Sequence, residues 1–214
     1  MKKSKRRPFL LTISKVIKVL RIRFSYLLPT LYARLYLSLM QCSFGKSLKV
    51  CGKVYFRPNG ANTIQLGNNV TLTARFLSNT VGITNPTILE CIGSGRIIIG
   101  DNSGLTSAIV SSRHSIEIGS NVNIGSNVRI FDHDFHALNY LHRRKGGKDS
   151  SHVTSESVII EDDVFIGTNS LILKGVHIGG RSIIGAGSVV TLKNIPTDSL
   201  VAGNPAVIVK ANIN

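Results

Sequence analysis

The 214-residue chain has no tryptophan, only three cysteines and 6% aromatic residues, and its first acidic residue is Glu90. Each shortage excludes something. With few aromatics and 20 glycines, the core must be packed by small aliphatic side chains. Cys42, Cys51 and Cys91 are odd in number and show no CxxC spacing, which argues against a disulfide framework and against a zinc site, and fits a reducing compartment. The missing acids matter more. Residues 1–89 hold 15 Lys or Arg and no Asp or Glu, and the other 11 basic residues balance all 11 acidic ones. The net charge of +15 therefore belongs to a basic appendage on a neutral domain, and no nucleic-acid partner is expected.

Long apolar runs are also missing. Lys15, Lys18, Arg21, Arg23 and Arg34 interrupt the N-terminal region, so no stretch approaches the ~20 residues that cross a bilayer. The apolar run after MKKSKRR is too short for a secretory leader, and no small-residue cleavage site follows. Residues 1–45 are expected to form a basic amphipathic helical extension that Pro29 breaks or kinks. Long apolar side chains mixed with cations suit a helix lying on an anionic membrane surface. Packing on its own domain or on a sister subunit is the alternative. The expected location is cytoplasmic, with peripheral contact at the inner face of the membrane.

What is present is a period of six. From Ile160 the sequence reads IEDDVF, IGTNSL, ILKGVH, IGGRSI, IGAGSV, VTLKNI. The same phase opens at Leu66, Ile99, Ile118 and Ile124. Six is neither the helical nor the strand period, and it is the hexapeptide signature of a parallel β-helix. Three hexads make one triangular coil whose opening aliphatics point inward, and coils are stable only when stacked. Gly and Asn supply the positive φ angles that turns between faces require. The predicted organisation is an extension at 1–45, a β-helix at 46–207 with an excursion at 131–157, and a tail at 208–214. The excursion begins RIFDHDFHAL, and long loops on rigid scaffolds tend to carry function.

Three stretches resemble the hexapeptide-repeat acyltransferase family, in its galactoside, maltose and Nod-factor acetyltransferase branch and polysaccharide O-acetyltransferase relatives. They are IEIGSNVNIGSNVRIFDHDFHAL, VIIEDDVFIGTNSLILKGVHIGGRSIIGAGSVVT and NIPTDSLVAGNPAVIVK. The resemblance implies an all-β fold, a left-handed parallel β-helix, assembled as a homotrimer. It implies acetyl transfer from acetyl-CoA, with no metal, to a hydroxyl of a sugar or polysaccharide precursor, as in surface polysaccharide biosynthesis. A loop histidine would act as general base. Imidazole, with an ordinary pKa near 6.5, suits that task. His136 ends the family's "DFH" form and is the first candidate, His133 is the second, and Asp132 or Asp134 would orient the ring. Ala137 stands where the family often has proline. On the CoA side the matched positions are Phe165, Gly167, Thr168, Gly185 and Ala186, with Thr191, Lys193 and Lys210 toward the nucleotide phosphates. Asn204 and Pro205 read as a turn. Two other readings compete: a zinc hydratase like the gamma-type carbonic anhydrases, and a non-catalytic trimeric scaffold.

Overall fold

The computed structural model of the protein describes residues 6–76, 79, 81–144 and 149–214. Successive strands rotate through three sheets, of seven, eight and six strands among the described residues, parallel except for the last strand of the eight, so each circuit of the chain adds one strand to each face. The inward residues stack in register. The first face aligns Leu66, Ile99, Ile118, Ile160, Ile178 and Ile195. The second aligns Leu72, Leu105, Ile124, Ile166, Ile184 and Val201. The third aligns Phe56, Leu89, Val110, Ile130, Ile172 and Val190. All are buried. Burying one such side chain is worth about 1.5–3 kcal/mol, but a single coil leaves its side chains open above and below. The stack is therefore the unit of stability.

The corner between first and second faces repeats one backbone state. Asn69, Asn102, Asn121, Asp163, Arg181 and Asp198 all have φ between 56° and 60°. Asparagine tolerates this region because its short side chain bonds locally. Here it also bonds vertically, Asn69 Nδ2 donating to Asn102 Oδ1 at 3.0 Å and Asn102 Nδ2 to Asn121 Oδ1 at 3.3 Å. Arg181 is the large side chain of the series. Its guanidinium grips Asp198 of the next coil through two bonds, of 2.8 and 2.6 Å. The Asp198 carboxyl is pulled down to about 2, chiefly by Arg181 and then by Asn214.

Both ends of the stack are covered. A helix, Arg6–Leu39, lays Ala33 and Leu37 against the first coil. Thr30 Oγ1 accepts the Val50 N–H at 2.9 Å, satisfying a donor on the terminal strand Lys49–Gly52, an open sheet edge that would otherwise invite pairing. Of the expected break or kink at Pro29, the break does not occur: the helix continues through it. Proline removes one backbone hydrogen bond, and the packing of residues on either side holds the remainder. At the other end the chain turns at Asn204 and Pro205 and returns as Ala206–Lys210, antiparallel to Leu200–Gly203.

Two excursions leave the coils. One, residues 132–157, joins the third face to the first, as the repeat phase predicts. The other, residues 75–86, joins the second face to the third. The hexad phase did not reveal it, because the coils around it are not continuous hexads.

Ile166→Ala should lower stability by about 2–5 kcal/mol and Ile166→Val by about 0.5–1.5 kcal/mol, read from chemical denaturation. Equal costs would mean that the ladder is not close-packed. Asp198 is less basic folded than unfolded, where its pKa is about 3.9. Its stabilisation is thus complete above that value and disappears as pH falls through about 2. Between pH ~4 and ~2, wild-type stability should therefore fall more steeply than that of Asp198→Asn. Parallel curves would remove the pair from the acid response.

Candidate active site

The root of the longer excursion is stapled. Glu156 N–H donates to Asp132 O at 2.8 Å and Asp134 N–H to Thr154 O at 3.0 Å, around an antiparallel bridge between His133 and Ser155. Between these, the fully buried Asp132 carboxylate accepts from Ser112 Oγ at 2.7 Å, Arg113 N–H at 2.7 Å and His114 N–H at 2.8 Å. His133 Nδ1 is a further donor, at 3.0 Å. Burial pushes this carboxyl up, but His133, the two amides and Ser112 together hold it below the usual range. The His133 ring lies against Phe135, with centroids 4.8 Å apart, and its side chain is 2% exposed. Its Nε2 is buried without a hydrogen-bond partner among the described residues. Asp132 and His133 thus bolt the loop to the coil below.

Asp134 turns to neither imidazole. Its carboxylate accepts from Lys174 Nζ and Thr154 Oγ1. Burial raises its pKa, and the lysine and threonine lower it more. Beside it Lys193 Nζ pairs with Glu156 and donates to Lys174 O at 3.1 Å. Lys193 therefore stands at the same corner as the histidine loop, as does Thr191, in the turn between Val189–Val190 and Asn194–Ile195.

His136 is placed differently. Its side chain is 68% exposed, and its Nδ1 lies 3.3 Å from Oδ2 of Asp149, which is 5% exposed. The same oxygen accepts the Ala137 N–H at 2.8 Å. Asp149 is held below its ordinary pKa first by that amide, then by its own backbone N–H and by the imidazole. A carboxylate so placed puts the proton on Nδ1 and leaves Nε2 as the acceptor. Ala137 now has a reason to differ from proline, since proline has no N–H to give. Arg143 braces the turn, donating to Ala137 O at 2.7 Å and Leu138 O at 2.6 Å. Asp149 was not among the site residues expected from the sequence. The signal was there: it is the sole acid between His136 and Ser155, among Arg143, Arg144, Lys145 and Lys148.

The remaining candidates gather elsewhere. Phe165, Gly167, Thr168, Gly185 and Ala186 line one groove of about 380 Å³, closed on one side by Asn79 and Val81 of the shorter excursion. Asn79 Nδ2 reaches Ser126 Oγ at 2.5 Å, and Thr84 N–H reaches Asn127 Oδ1 at 2.9 Å, which seats that excursion over the corner between second and third faces. A shallower trough continues past Gly104, Thr106 and Asn123. Gly167 is small for a packing reason, because a Cβ there would lie 2.5 Å from Ala186 N. Gly104 is open, with nothing nearer than 3.9 Å. Lys210 lies on the returning strand, paired with Leu200. Within one chain the groove and the histidine loop are at different corners, separated by the width of the third face. Among the described residues no group of three or more His, Cys, Asp or Glu is placed to hold a metal ion.

Residues 157–191 match the family model for the hexapeptide repeat of succinyl-transferase. A curated relative, the 2,3,4,5-tetrahydropyridine-2,6-dicarboxylate N-acetyltransferase of Staphylococcus aureus (strain JH9), is 47% identical over 57 residues, 27% of this chain and 23% of the relative. The chain thus matches less than a quarter of the length of that relative. Among solved structures, AntD, an N-acyltransferase from Bacillus cereus, was captured as a point mutant with dTDP-4-amino-4,6-dideoxyglucose and coenzyme A. It is 25% identical, with 83% of this chain and 88% of that one covered and a TM-score of 0.62. A hexapeptide-repeat-containing acetyltransferase from Vibrio cholerae O1 biovar eltor, complexed with acetyl coenzyme A, is 30% identical, covers 68% of this chain and 69% of its own, and has a TM-score of 0.54. With that identity over more than two thirds of both chains, on a fold of the same repeat, this chain belongs to the hexapeptide-repeat acetyltransferase family.

Proposed function

We propose that the protein is a CoA-dependent acyltransferase that moves an acetyl group from acetyl-CoA to a sugar hydroxyl, with His136 as general base and Asp149 as its positioning residue. One observation carries the reading: an exposed imidazole whose Nδ1 faces a buried, ionised carboxylate. As the acceptor oxygen bonds to the thioester carbonyl carbon, its proton passes to His136 Nε2. The tetrahedral adduct then collapses with loss of the C–S bond, and the imidazolium returns the proton to the departing sulfur. No covalent enzyme intermediate is needed.

The groove at Phe165, Thr168 and Ala186 is the proposed seat of the pantetheine arm. Because the histidine loop stands at another corner, the complete site is proposed to form between copies, as in a homotrimer. The outer surface of the third face supports this. Tyr55, Ile88, Ile109, Leu171 and Val189 form one register row broken only by Arg129, an apolar strip suited to subunit packing. The complex of AntD with an amino-sugar nucleotide favours a sugar acceptor and makes an amine the second reading.

CoA release should be followed with a panel of sugars, lipid-linked oligosaccharides and amino-sugar nucleotides. On the true acceptor, His136→Ala should lower kcat by about 10²–10⁴-fold with CoA affinity little changed. Asp149→Asn should lower kcat by about 10–10²-fold through ring misplacement, and shift the pH profile. His133→Ala should cost much less in kcat and more in stability, because it releases Asp132. Full activity of His136→Ala would defeat the general-base assignment.

A further inference from the structure

The last turns of the N-terminal helix bury Ala33 and Leu37 on the first coil, and most of its remaining described surface is uncovered. Leu20, Phe24, Leu28, Leu31, Leu35 and Leu39 recur at spacings of three and four and are all exposed, Leu28 at 70% and Leu39 at 73%. At 1.5 Å per residue this stripe is about 28 Å long. Contiguous exposed apolar surface of this kind marks an interaction site. Beside the stripe, a cleft of about 360 Å³ between helix and first coil has Leu27, Leu31 and Leu48 for walls and Arg34 and Lys49 as its cations. Arg34 lies over the Phe44 ring at 5.8 Å. Its Nε is buried without a hydrogen-bond partner, and no carboxylate among the described residues pairs with Arg34 or Lys49.

We propose that the stripe lies in the headgroup layer of an anionic bilayer, with the cleft at Arg34 and Lys49 receiving a lipid phosphate. Charge chooses this occupant over a second copy. The helix carries seven Lys or Arg and no acid, so apposed helices of sister chains would bring like charges together, which is costly. An anionic surface turns the same charges into attraction. No helix among the described residues is long and apolar enough to cross a membrane, which leaves the interfacial position. None of these residues belongs to the groove or the histidine loop, so membrane binding is separable from acyl transfer.

The test is co-sedimentation of the full chain with vesicles of phosphatidylcholine alone and of an equimolar mixture with phosphatidylglycerol, at low and high salt, with molar mass followed by light scattering. Binding should require phosphatidylglycerol and weaken as salt rises. Leu28→Ser with Leu35→Ser should weaken it at least about tenfold. Arg34→Gln with Lys49→Gln should weaken it about 25-fold at low salt, about fivefold per cation. Molar mass should be unchanged in both variants. Failure to bind the mixture, leucine variants that bind like wild type, or leucine variants that lose oligomer mass would each overturn the proposal, the last by assigning the stripe to a second copy.

Discussion

The vertical register of inward aliphatic residues sets where everything else stands. Ile124, Ile166 and Ile184 lie directly over one another, and so do their counterparts on the other two faces. A shift of one residue would turn each of them out to water. The register forces identical turns at identical heights, which is why asparagines stack on asparagines at one corner. It also forces small residues where coils touch, as at Gly167. A scaffold held this firmly can carry two excursions with little distortion, and both of them leave from corners.

The proposed chemistry is divided between those corners. One holds the groove, walled by Phe165, Thr168, Ala186 and the excursion at 75–86. The other holds Asp132, His133 and the Asp134–Lys174 pair, from which the loop rises to His136 and Asp149. The two histidines differ through their surroundings. His133 is shielded by Phe131 and Phe135 and spends its Nδ1 on the carboxylate that fastens the loop. His136 is open to solvent and spends its Nδ1 on a carboxylate that Ala137 fixes. Two imidazole–carboxylate pairs thus share one segment, the first anchoring and the second available for proton transfer.

The coil core was legible where the hexads run on, because a hexad repeat reports inward positions directly: every opening aliphatic from Ile160 to Val190 is buried. The groove residues could be read as a group from the resemblance. The partner of the proposed base could not. Asp149 follows His136 by 13 residues in a stretch without periodicity, and only the fold of the loop shows that the Ala137 amide and the imidazole converge on it. Asp134 was read as a neighbour of the ring from proximity in sequence, yet its carboxylate pairs with Lys174 on the next coil. Pro29 misled for a similar reason, since tertiary packing of Thr30, Ala33 and Leu37 outweighs one missing backbone bond.

The central claim is that groove and base act across a boundary between copies. Subunit mixing tests it most directly. His136→Ala removes the base and leaves the groove, while Ala186→Trp blocks the groove and leaves the base. Each alone should be inactive. Co-expressed in equal amounts and purified as mixed oligomers through two different tags, they should regain about a third of wild-type CoA release, because each mixed trimer has one of its three boundaries joining an intact groove to an intact loop. Mixed oligomers that form and stay inactive would contradict the account.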